Sequence, residues 1–166
     1  KGLNAVCIPR SIDNDIASTA VSFGFNTALT FTIDMLDRAR QAAQAARKSV
    51  VVEVQGEEAG WIALQSGIAD VVLIPEIPVD PKNVAEKLKD KISTGRRYAL
   101  VVVAQGAKFI NLSKKAEAPS SFKATLSPRA ASESNSEHVI QSSGQAAETL
   151  ATQLQLMIAE ETYPLV

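Results

Sequence analysis

The 166-residue chain has one cysteine, one histidine and almost no excess of either charge sign. Because Cys7 has no second cysteine to pair with, it favours a reducing compartment such as the cytoplasm, and we interpret it as a small buried apolar residue. His138 is equally solitary, so histidines supply neither a metal site nor a catalytic triad, and we interpret it as a surface residue. With 17 basic and 18 acidic side chains, the charge balance provides no electrostatic reason to bind nucleic acid or an anionic membrane.

The chain also lacks long apolar runs. None approaches about 18 residues and no signal-peptide pattern opens the sequence, so we expect neither a membrane-spanning helix nor secretion. Apolar residues make up 46% of the chain and charged residues 21%, which is typical of a globular domain with a buried core. The first residue is Lys1 rather than Met, and residues 163–166 resemble the opening of a strand. We therefore expect one domain, residues 1–166, that belongs to a longer polypeptide.

Apolar runs alternate with helical patterns along the sequence. The runs predict strands over residues 3–8, 50–54, 71–74 and 98–104, and the helical patterns predict helices over residues 25–47, 58–66, 81–94 and 145–159. The β-branched run Val50–Val54 indicates a strand buried on both faces. Residues 108–144 show little period and predict an irregular insertion that is functional or locally structured. Strands alternating with helices predict an α/β fold, a parallel doubly wound sheet with helices on both faces.

A polar loop, Arg10 to Asp15, follows the first predicted strand. The carboxyl edge of an open α/β sheet is where ligands bind, so Ser11, Asp13 and Asp15 are candidates for a functional site. We expect an extended loop in which the carboxylates of Asp13 and Asp15 lie on opposite sides. We therefore expect one carboxylate to act on a substrate proton and the other to lie near a metal or to hold the loop. The alternative is an Asx-type turn, in which Asn and Asp side chains only bond to nearby backbone groups.

The surroundings of this loop resemble the sugar-phosphate-binding half of a phosphofructokinase. Six blocks match that family in order, at residues 8–15, 23–28, 52–56, 59–64, 74–76 and 102–107. The resemblance implies one lobe of an oligomeric 6-phosphofructokinase, which uses Mg2+ and moves phosphoryl from ATP or pyrophosphate to the 1-hydroxyl of fructose 6-phosphate. It also implies that the phosphate-donor half precedes residue 1 and that a closing His/Arg turn follows Val166. From Lys108 onwards the resemblance is weak.

The resemblance assigns roles by position. It implies that Asp13 is the general base and that Asp15 lies near the metal-bound phosphates, while Ser11 stands where the family usually has Thr. A general base contributes a factor of roughly a hundred to ten thousand. Gly56 would let the backbone approach the sugar closely. The alternative for Gly56 is a simple strand-ending turn.

Four positions depart from the family pattern. Lys48 occupies the position of an Arg that reaches a neighbouring subunit's sugar phosphate in the family. A lysine can still neutralise a phosphate, but it cannot donate two parallel hydrogen bonds to it as arginine does. Gln55 stands where Met is usual. Gln105 replaces the Glu that accepts from a sugar hydroxyl, and a neutral amide is the weaker acceptor. Glu57 replaces an expected Arg and puts negative charge where phosphates would lie.

Arg10 bears on the phosphoryl donor. In the resembled family, Gly before the loop accompanies ATP use in many short bacterial enzymes, whereas Lys is common in pyrophosphate-dependent ones. Arg10 resembles the Lys pattern and predicts pyrophosphate; the alternative is a surface Arg beside a turn. The four departures favour a second hypothesis, a non-catalytic phosphofructokinase-like subunit that binds or regulates. A third, an unrelated flavodoxin-like binding domain, leaves the six ordered blocks unexplained.

Overall fold

The computed structural model describes residues 2–111 and 145–159. In these two segments the strands are β1 (Arg10–Ser11), β2 (Phe23–Gly24), β3 (Val50–Val54), β4 (Val71–Leu73) and β5 (Leu100–Ala104). The helices are α1 (Phe25–Ala46), α2 (Trp61–Gln65), α3 (Pro81–Ser93) and α4 (Gln145–Ala159). The three longer strands form one parallel sheet in the order β3-β5-β4, and β1 pairs with β2 in a separate parallel ladder.

The central strand β5 carries the core. All five of its residues are buried, and they alternate between two apolar clusters on the two faces of the sheet. Val101 and Val103 pack with residues of α3 and α4, whereas Leu100, Val102 and Ala104 pack with residues of α1 and α2. The predicted doubly wound α/β sheet with helices on both faces is therefore confirmed.

The strand β3 differs from its prediction. Its first four residues are half-buried and only Val54 is buried. Within the described residues β3 pairs on one side only, with β5, so its other edge lacks the neighbour that burial of a central strand requires. The expectation of a strand buried on both faces is met by β5 instead.

The helices α3 and α4 lie close to their predicted ranges. The carboxylate of Asp80 accepts a hydrogen bond of 2.9 Å from the backbone nitrogen of Lys82, and Pro81 occupies the first turn of α3. These two residues are a favoured helix start. The helix α4 spans the predicted range, and the Glu53 carboxylate on β3 accepts from the backbone nitrogen of Ala147 at 3.1 Å. The helix α2 begins at Trp61, later than the predicted residue 58.

One half-buried carboxylate joins β4 to β5. Asp70 accepts hydrogen bonds from Lys91 at 2.6 Å and Arg96 at 2.7 Å on one oxygen, and from the Leu100 backbone nitrogen at 2.9 Å on the other. Burial alone would raise the pKa of Asp70, but these hydrogen bonds and the charges of Lys91 and Arg96 lower it below its ordinary value. Asp70 thus stabilises the pairing of both strands at their amino ends.

The predicted first strand over residues 3–8 is wrong. Leu3, Val6 and Ile8 are 92%, 93% and 69% exposed, and regular pairing begins only at Arg10. A strand needs a neighbour to take up its backbone hydrogen bonds, and none of the described strands pairs with this segment. Cys7 is exposed as well, so its interpretation as a buried residue is also wrong.

The irregular insertion predicted over 108–144 is described only at its start. Phe109 forms a parallel bridge with Val79, and Asn111 donates to the Asp80 carboxylate at 2.9 Å. The rest of the insertion, His138 and residues 163–166 lie outside the described residues. Among the helices described, none is long and apolar enough to cross a membrane.

Candidate active site

The polar loop of residues 10–15, called the acidic loop from here on, begins in β1 and is followed by β2 at residues 23–24. Arg10 pairs with Phe23 and Ser11 pairs with Gly24 in the β1-β2 ladder, and the backbone nitrogen of Phe23 donates to the carbonyl oxygen of Pro9 at 2.9 Å. Gly24 has a φ of 103° and leads directly into α1, a conformation that glycine adopts without steric cost. The loop is thereby held at the amino end of a 22-residue helix.

The loop folds back on the hydroxyl of Ser11. That oxygen donates to Asp15 Oδ1 at 2.6 Å and accepts from the backbone nitrogen of Asp13 at 3.2 Å. Asn14 has a φ of 55°, which turns the backbone away from an extended path. The expectation of an extended loop with two opposed carboxylates is therefore wrong, because Ser11 closes it into a compact turn.

A second set of hydrogen bonds comes from Ser22. Its hydroxyl donates to the carbonyl oxygen of Ser11 at 2.6 Å and to Asn14 Oδ1 at 3.2 Å, and its backbone nitrogen donates to Asn14 Oδ1 at 2.8 Å. The sequence analysis assigned no role to Ser22 and none to the Asn14 side chain. A lone serine between two apolar blocks carries no recognisable signal, because its partner lies eight residues away across the loop.

These bonds leave Asp13 available. Its Oδ1 is buried and has no hydrogen-bond partner among the described residues. Partial burial, followed by the negative charges of Asp15 and Glu57, raises the pKa of Asp13 above its ordinary value. A carboxylate with a raised pKa and an unpaired oxygen is a stronger proton acceptor than an ordinary Asp. The Asx-type turn describes Asn14, whose amide oxygen accepts from the Ser22 backbone nitrogen, whereas Asp13 Oδ1 makes no such bond among the described residues.

Two further loops meet at the carboxyl ends of β3 and β5. The backbone nitrogen of Gln105 donates to the Val54 carbonyl at 3.0 Å, and that of Gly106 donates to the Gly56 carbonyl at 2.9 Å. Gly56 has a φ of 139°, and a Cβ there would lie 2.6 Å from the Ala59 carbonyl oxygen. Gly56 is thus required for its conformation and its close contact. The bonds between the two loops bring Gln55 and Gln105 to the same edge of the sheet.

A charge in the loop after β3 acts on a carboxylate in the acidic loop. Glu57 directly follows Gly56 and is exposed, and its charge contributes to the raised pKa of Asp13. At an effective dielectric constant near 20, two unit charges about 4 Å apart repel by roughly 4 kcal/mol, and less when solvent screens them. The site among the described residues is therefore acidic, with Asp13, Asp15 and Glu57 in one electrostatic neighbourhood.

The remaining predicted residues lie apart from this neighbourhood. Lys48 precedes β3, and its backbone nitrogen donates to the Ala43 carbonyl at the end of α1, so it sits at the opposite end of the strand from Gly56. Arg10 is exposed beside the loop. Trp61 is 42% exposed, whereas its neighbour Ile62 is buried.

The oxygen donors of the site fit a Mg2+ ion only in part. Carboxylate oxygens are preferred Mg2+ ligands, and protein Mg2+ sites commonly use one or two carboxylates together with phosphate and water oxygens. The described residues contain no group of three or more His, Cys, Asp or Glu side chains that could hold a metal ion by themselves. A Mg2+ ion at Asp15 would therefore require phosphate oxygens from a ligand.

The phosphofructokinase family model matches residues 1–162. This chain belongs to the phosphofructokinase family. Among curated phosphofructokinases, the ATP-dependent 6-phosphofructokinase 2 of Clostridium perfringens is 46% identical over 111 residues, which cover 65% of this chain and 30% of the relative. The ATP-dependent 6-phosphofructokinase 3 of Bacteroides thetaiotaomicron is 44% identical over 108 residues, 63% of this chain and 32% of that protein. The chain thus spans about a third of the length of these curated relatives.

Solved phosphofructokinases share the fold. The phosphofructokinase from Saccharomyces cerevisiae aligns with a TM-score of 0.56 at 36% identity, over 60% of this chain and 14% of the other. The pyrophosphate-dependent phosphofructokinase from Nitrosospira multiformis aligns with a TM-score of 0.57 at 29% identity, over 63% of this chain and 29% of the other. The likeness therefore extends to family members named for either phosphoryl donor.

Proposed function

We propose that this chain is the sugar-phosphate-binding lobe of a 6-phosphofructokinase. The reaction is the transfer of a phosphoryl group from ATP or pyrophosphate to the 1-hydroxyl of fructose 6-phosphate, a step of glycolysis. The observation that carries the proposal is the Asp13 carboxylate, whose raised pKa and unpaired buried Oδ1 suit a general base. The match to the family over residues 1–162 supports the same activity.

In this proposal Asp13 acts on the acceptor sugar. Its carboxylate takes the proton of the 1-hydroxyl as that oxygen forms a bond to the γ-phosphorus of ATP, or to one phosphorus of pyrophosphate. The bond from that phosphorus to the bridging oxygen breaks, and ADP or phosphate leaves with the electron pair. Ser11 assists by donating to Asp15 at 2.6 Å, which holds the second carboxylate in place while Asp13 accepts the proton.

Mg2+ is the proposed metal and Asp15 the residue that holds it. When bound, the ion would neutralise charge on the donor phosphates. Asp15 is exposed at the surface of the loop, where a phosphate-bound ion can reach it. Its Oδ1 already accepts from Ser11, which orients the carboxylate for such a contact.

The sugar phosphate is assigned to the loops after β3 and β5. Gln105 would accept a hydrogen bond from a sugar hydroxyl through its amide oxygen, and Gln55 and Gly56 would line the same edge. These loops are joined by the Gly106 to Gly56 bond, so they present one surface. Lys48, at the other end of β3, would reach a sugar phosphate bound to a neighbouring subunit of a homo-oligomer.

The two donors are supported by different observations. The curated relatives with 42–46% identity are named as ATP-dependent enzymes, which supports ATP. Arg10 is an exposed cation directly before Ser11, and a guanidinium there would supply charge to pyrophosphate and fill space beside an α-phosphate. We infer a cytoplasmic enzyme for either donor, since its substrates are metabolites of glycolysis.

A non-catalytic phosphofructokinase-like subunit is the second candidate. Glu57 favours it, because its negative charge lies near Asp13 where polyanionic substrates would have to approach. In that case the lobe binds or regulates without transferring a phosphoryl group. Asp13, with its unpaired oxygen, favours the enzyme.

Steady-state assays on the full-length polypeptide that contains these residues test the proposal. Formation of fructose 1,6-bisphosphate with ATP or with pyrophosphate, dependent on Mg2+, is the expected result. Binding of fructose 6-phosphate without turnover with either donor would favour the non-catalytic subunit. The absence of both binding and turnover would refute the assignment. The 166-residue chain alone is expected to be inactive, and the same assay on it checks the assignment of a single lobe.

A further inference from the structure

Ser22 is one of the few buried polar residues in the described part of the chain. It is 2% exposed. It lies directly before β2 and three residues before the start of α1, and its own carbonyl accepts from the Phe25 backbone nitrogen at 3.3 Å. Ser22 therefore belongs to the rigid junction between the β1-β2 ladder and the first turn of the long helix.

The hydroxyl and the backbone nitrogen of Ser22 both bond to the acidic loop. The hydroxyl bonds to the Ser11 carbonyl at 2.6 Å and the Asn14 amide oxygen at 3.2 Å, while the backbone nitrogen reaches the same amide oxygen at 2.8 Å. Ser11 and Asn14 flank Asp13 in the sequence. One side chain thus fastens the loop on both sides of the residue that carries the unpaired carboxylate oxygen.

We propose that Ser22 is a positioning residue that holds the Asp13 carboxylate in its reactive orientation by fixing Ser11 and Asn14. The inference rests on the proposed function, because it assigns a role in the reaction that Asp13 performs. Ser22 contacts no substrate and acts only through the loop. A displacement of about 1 Å at a reacting group can cost about a hundredfold in rate. Fixing the loop at two points therefore protects the rate of the reaction.

The backbone alone does not account for this arrangement. In Asn14, the left-handed φ of 55° is tolerated by asparagine because its side chain bonds locally. That amide oxygen is satisfied mainly by Ser22, and the Ser11 carbonyl receives its short side-chain hydrogen bond from the same hydroxyl. Removing the hydroxyl leaves the half-buried Ser11 carbonyl without this donor, while the backbone bond from Ser22 to Asn14 remains. Ser22→Ala should therefore fold with a loosened loop.

The test compares Ser22→Ala and Ser22→Thr with a matched control in the full-length polypeptide. Ser66→Ala is that control, because Ser66 is also buried and its hydroxyl donates to the Ala63 carbonyl at 2.7 Å in another helix. Ser22→Ala should lower kcat about tenfold to a hundredfold and leave the KM for fructose 6-phosphate within about threefold. Ser22→Thr, which keeps the hydroxyl, should restore most of kcat, and Ser66→Ala should keep the wild-type kcat.

Hydrogen exchange of the amides in residues 11–15 gives a readout that needs no activity. Ser22→Ala should speed exchange in this segment, and Ser66→Ala should not. Wild-type kcat in Ser22→Ala, or a fall in kcat with unchanged exchange in residues 11–15, would overturn the proposal. If the wild-type polypeptide shows no turnover with either donor, the proposed function fails. In that case hydrogen exchange alone tests whether Ser22 holds the loop. Unchanged exchange of residues 11–15 in Ser22→Ala would then overturn this positioning role.

Discussion

The backbone nitrogen of Gly106 donates a hydrogen bond of 2.9 Å to the carbonyl oxygen of Gly56. This bond joins the loop that follows β5 to the loop that follows β3. A Cβ on Gly106 would overlap the carbonyl group of Glu57, so the two backbones touch only because residue 106 has no side chain. The position of Gln105 is consequently tied to the position of Gly56.

Gly106→Ala should therefore disturb the proposed sugar site and the fold together. Overpacking of this kind costs about 1–3 kcal/mol of unfolding free energy, and we expect a higher KM for fructose 6-phosphate with a smaller change in kcat. Urea denaturation and steady-state kinetics measure the two effects. Gly2→Ala is the control, because nothing lies within 4 Å of a Cβ there. A change in unfolding free energy no larger than that of the control would contradict the prediction.

Asp13→Asn should lower kcat by roughly a hundred to ten thousandfold, because it removes a general base from the chemical step. The KM for either substrate should change little. Steady-state kinetics with the preferred donor check this, and Asp34→Asn on the exposed face of α1 is the control. An unchanged kcat in Asp13→Asn would remove Asp13 from the mechanism.

The same substitution should stabilise the fold at neutral pH. Since the folded-state pKa of Asp13 lies above its ordinary value of 3.8, the charged form is less favourable in the folded protein. The stability contributed by the protonated form is full below pH 3.8 and is lost as the pH rises through the folded-state pKa. Asp13→Asn should therefore raise the unfolding free energy at pH 7 and not at pH 3. Denaturation curves at both pH values measure this, and equal effects at both would contradict it.

Glu57→Gln should move the acid limb of the kcat profile to lower pH. The charge of Glu57 raises the pKa of Asp13, so its removal leaves Asp13 ionised over a wider range. Glu57→Arg should shift the limb further and raise activity, because the cation also attracts substrate phosphates. Glu58→Gln, at the adjacent exposed position, is the matched control for net charge. Loss of activity in Glu57→Arg would show that Glu57 has a role of its own.

Asp70→Asn should destabilise the sheet. The carboxylate accepts from Lys91, Arg96 and the Leu100 backbone, and its side chain is only 10% exposed. Hydrogen bonds to charged groups contribute about 1.5–3 kcal/mol, and the partial exposure of Lys91 and Arg96 places the expected loss near the lower figure.

The loss should depend on pH. The pKa of Asp70 is lowered below 3.8, so its stabilisation is present above pH 3.8 and disappears as the pH falls through the lowered value. Denaturation of wild type and Asp70→Asn should differ at pH 7 and converge at the acid end. Asp90→Asn, at an exposed position of α3, is the control. A constant difference across the pH range would show that the charge of Asp70 is not the cause.

Arg10→Gly tests the donor. If Arg10 selects pyrophosphate, the wild-type polypeptide should have the higher kcat/KM with pyrophosphate, and the variant should shift the ratio towards ATP by about tenfold or more. The expected gain with ATP follows from the space that the side chain vacates. Competition kinetics with both donors measure the ratio. A wild-type preference for ATP that the substitution leaves unchanged would show that Arg10 is only a surface residue.

The elements with strong local signals were predictable. Asp80 and Pro81 start α3 through a side-chain cap and a fixed φ, and neither depends on distant parts of the chain. The β-branched run of β3 was recognised as a strand, but its burial was not, because burial depends on which neighbours surround it. Residues 3–8 show the same limit: their apolar pattern predicts a strand, and only a partner can make one.

In the candidate site, too, local sequence indicated some residues, whereas the contacts that depend on the folded structure were missed. Asp13, Asp15 and Gly56 were candidates from the residue types, their order and the family resemblance, and they stay predictions. The hydrogen bonds from Ser22 to the loop were not predicted, because a serine in a sequence is not specific for such a role. Its bond to Asn14 exists only once β1 and β2 have paired. The compact shape of the loop was missed for the same reason, since the Ser11 to Asp15 hydrogen bond replaces the extended path.

The strand order β3-β5-β4 also sets when this sheet can assemble. β5 is synthesised last of the three, yet Val101 is the residue that pairs with both Val51 and Val71. Among the described strands, β3 and β4 are not neighbours of each other, so each lacks its partner β5 until residues 100–104 have left the ribosome. Two long loops then close onto one strand, and closure of such loops is what slows the folding of non-local sheets. A chain that ends before Leu100 would hold two β-branched segments with no ladder to join.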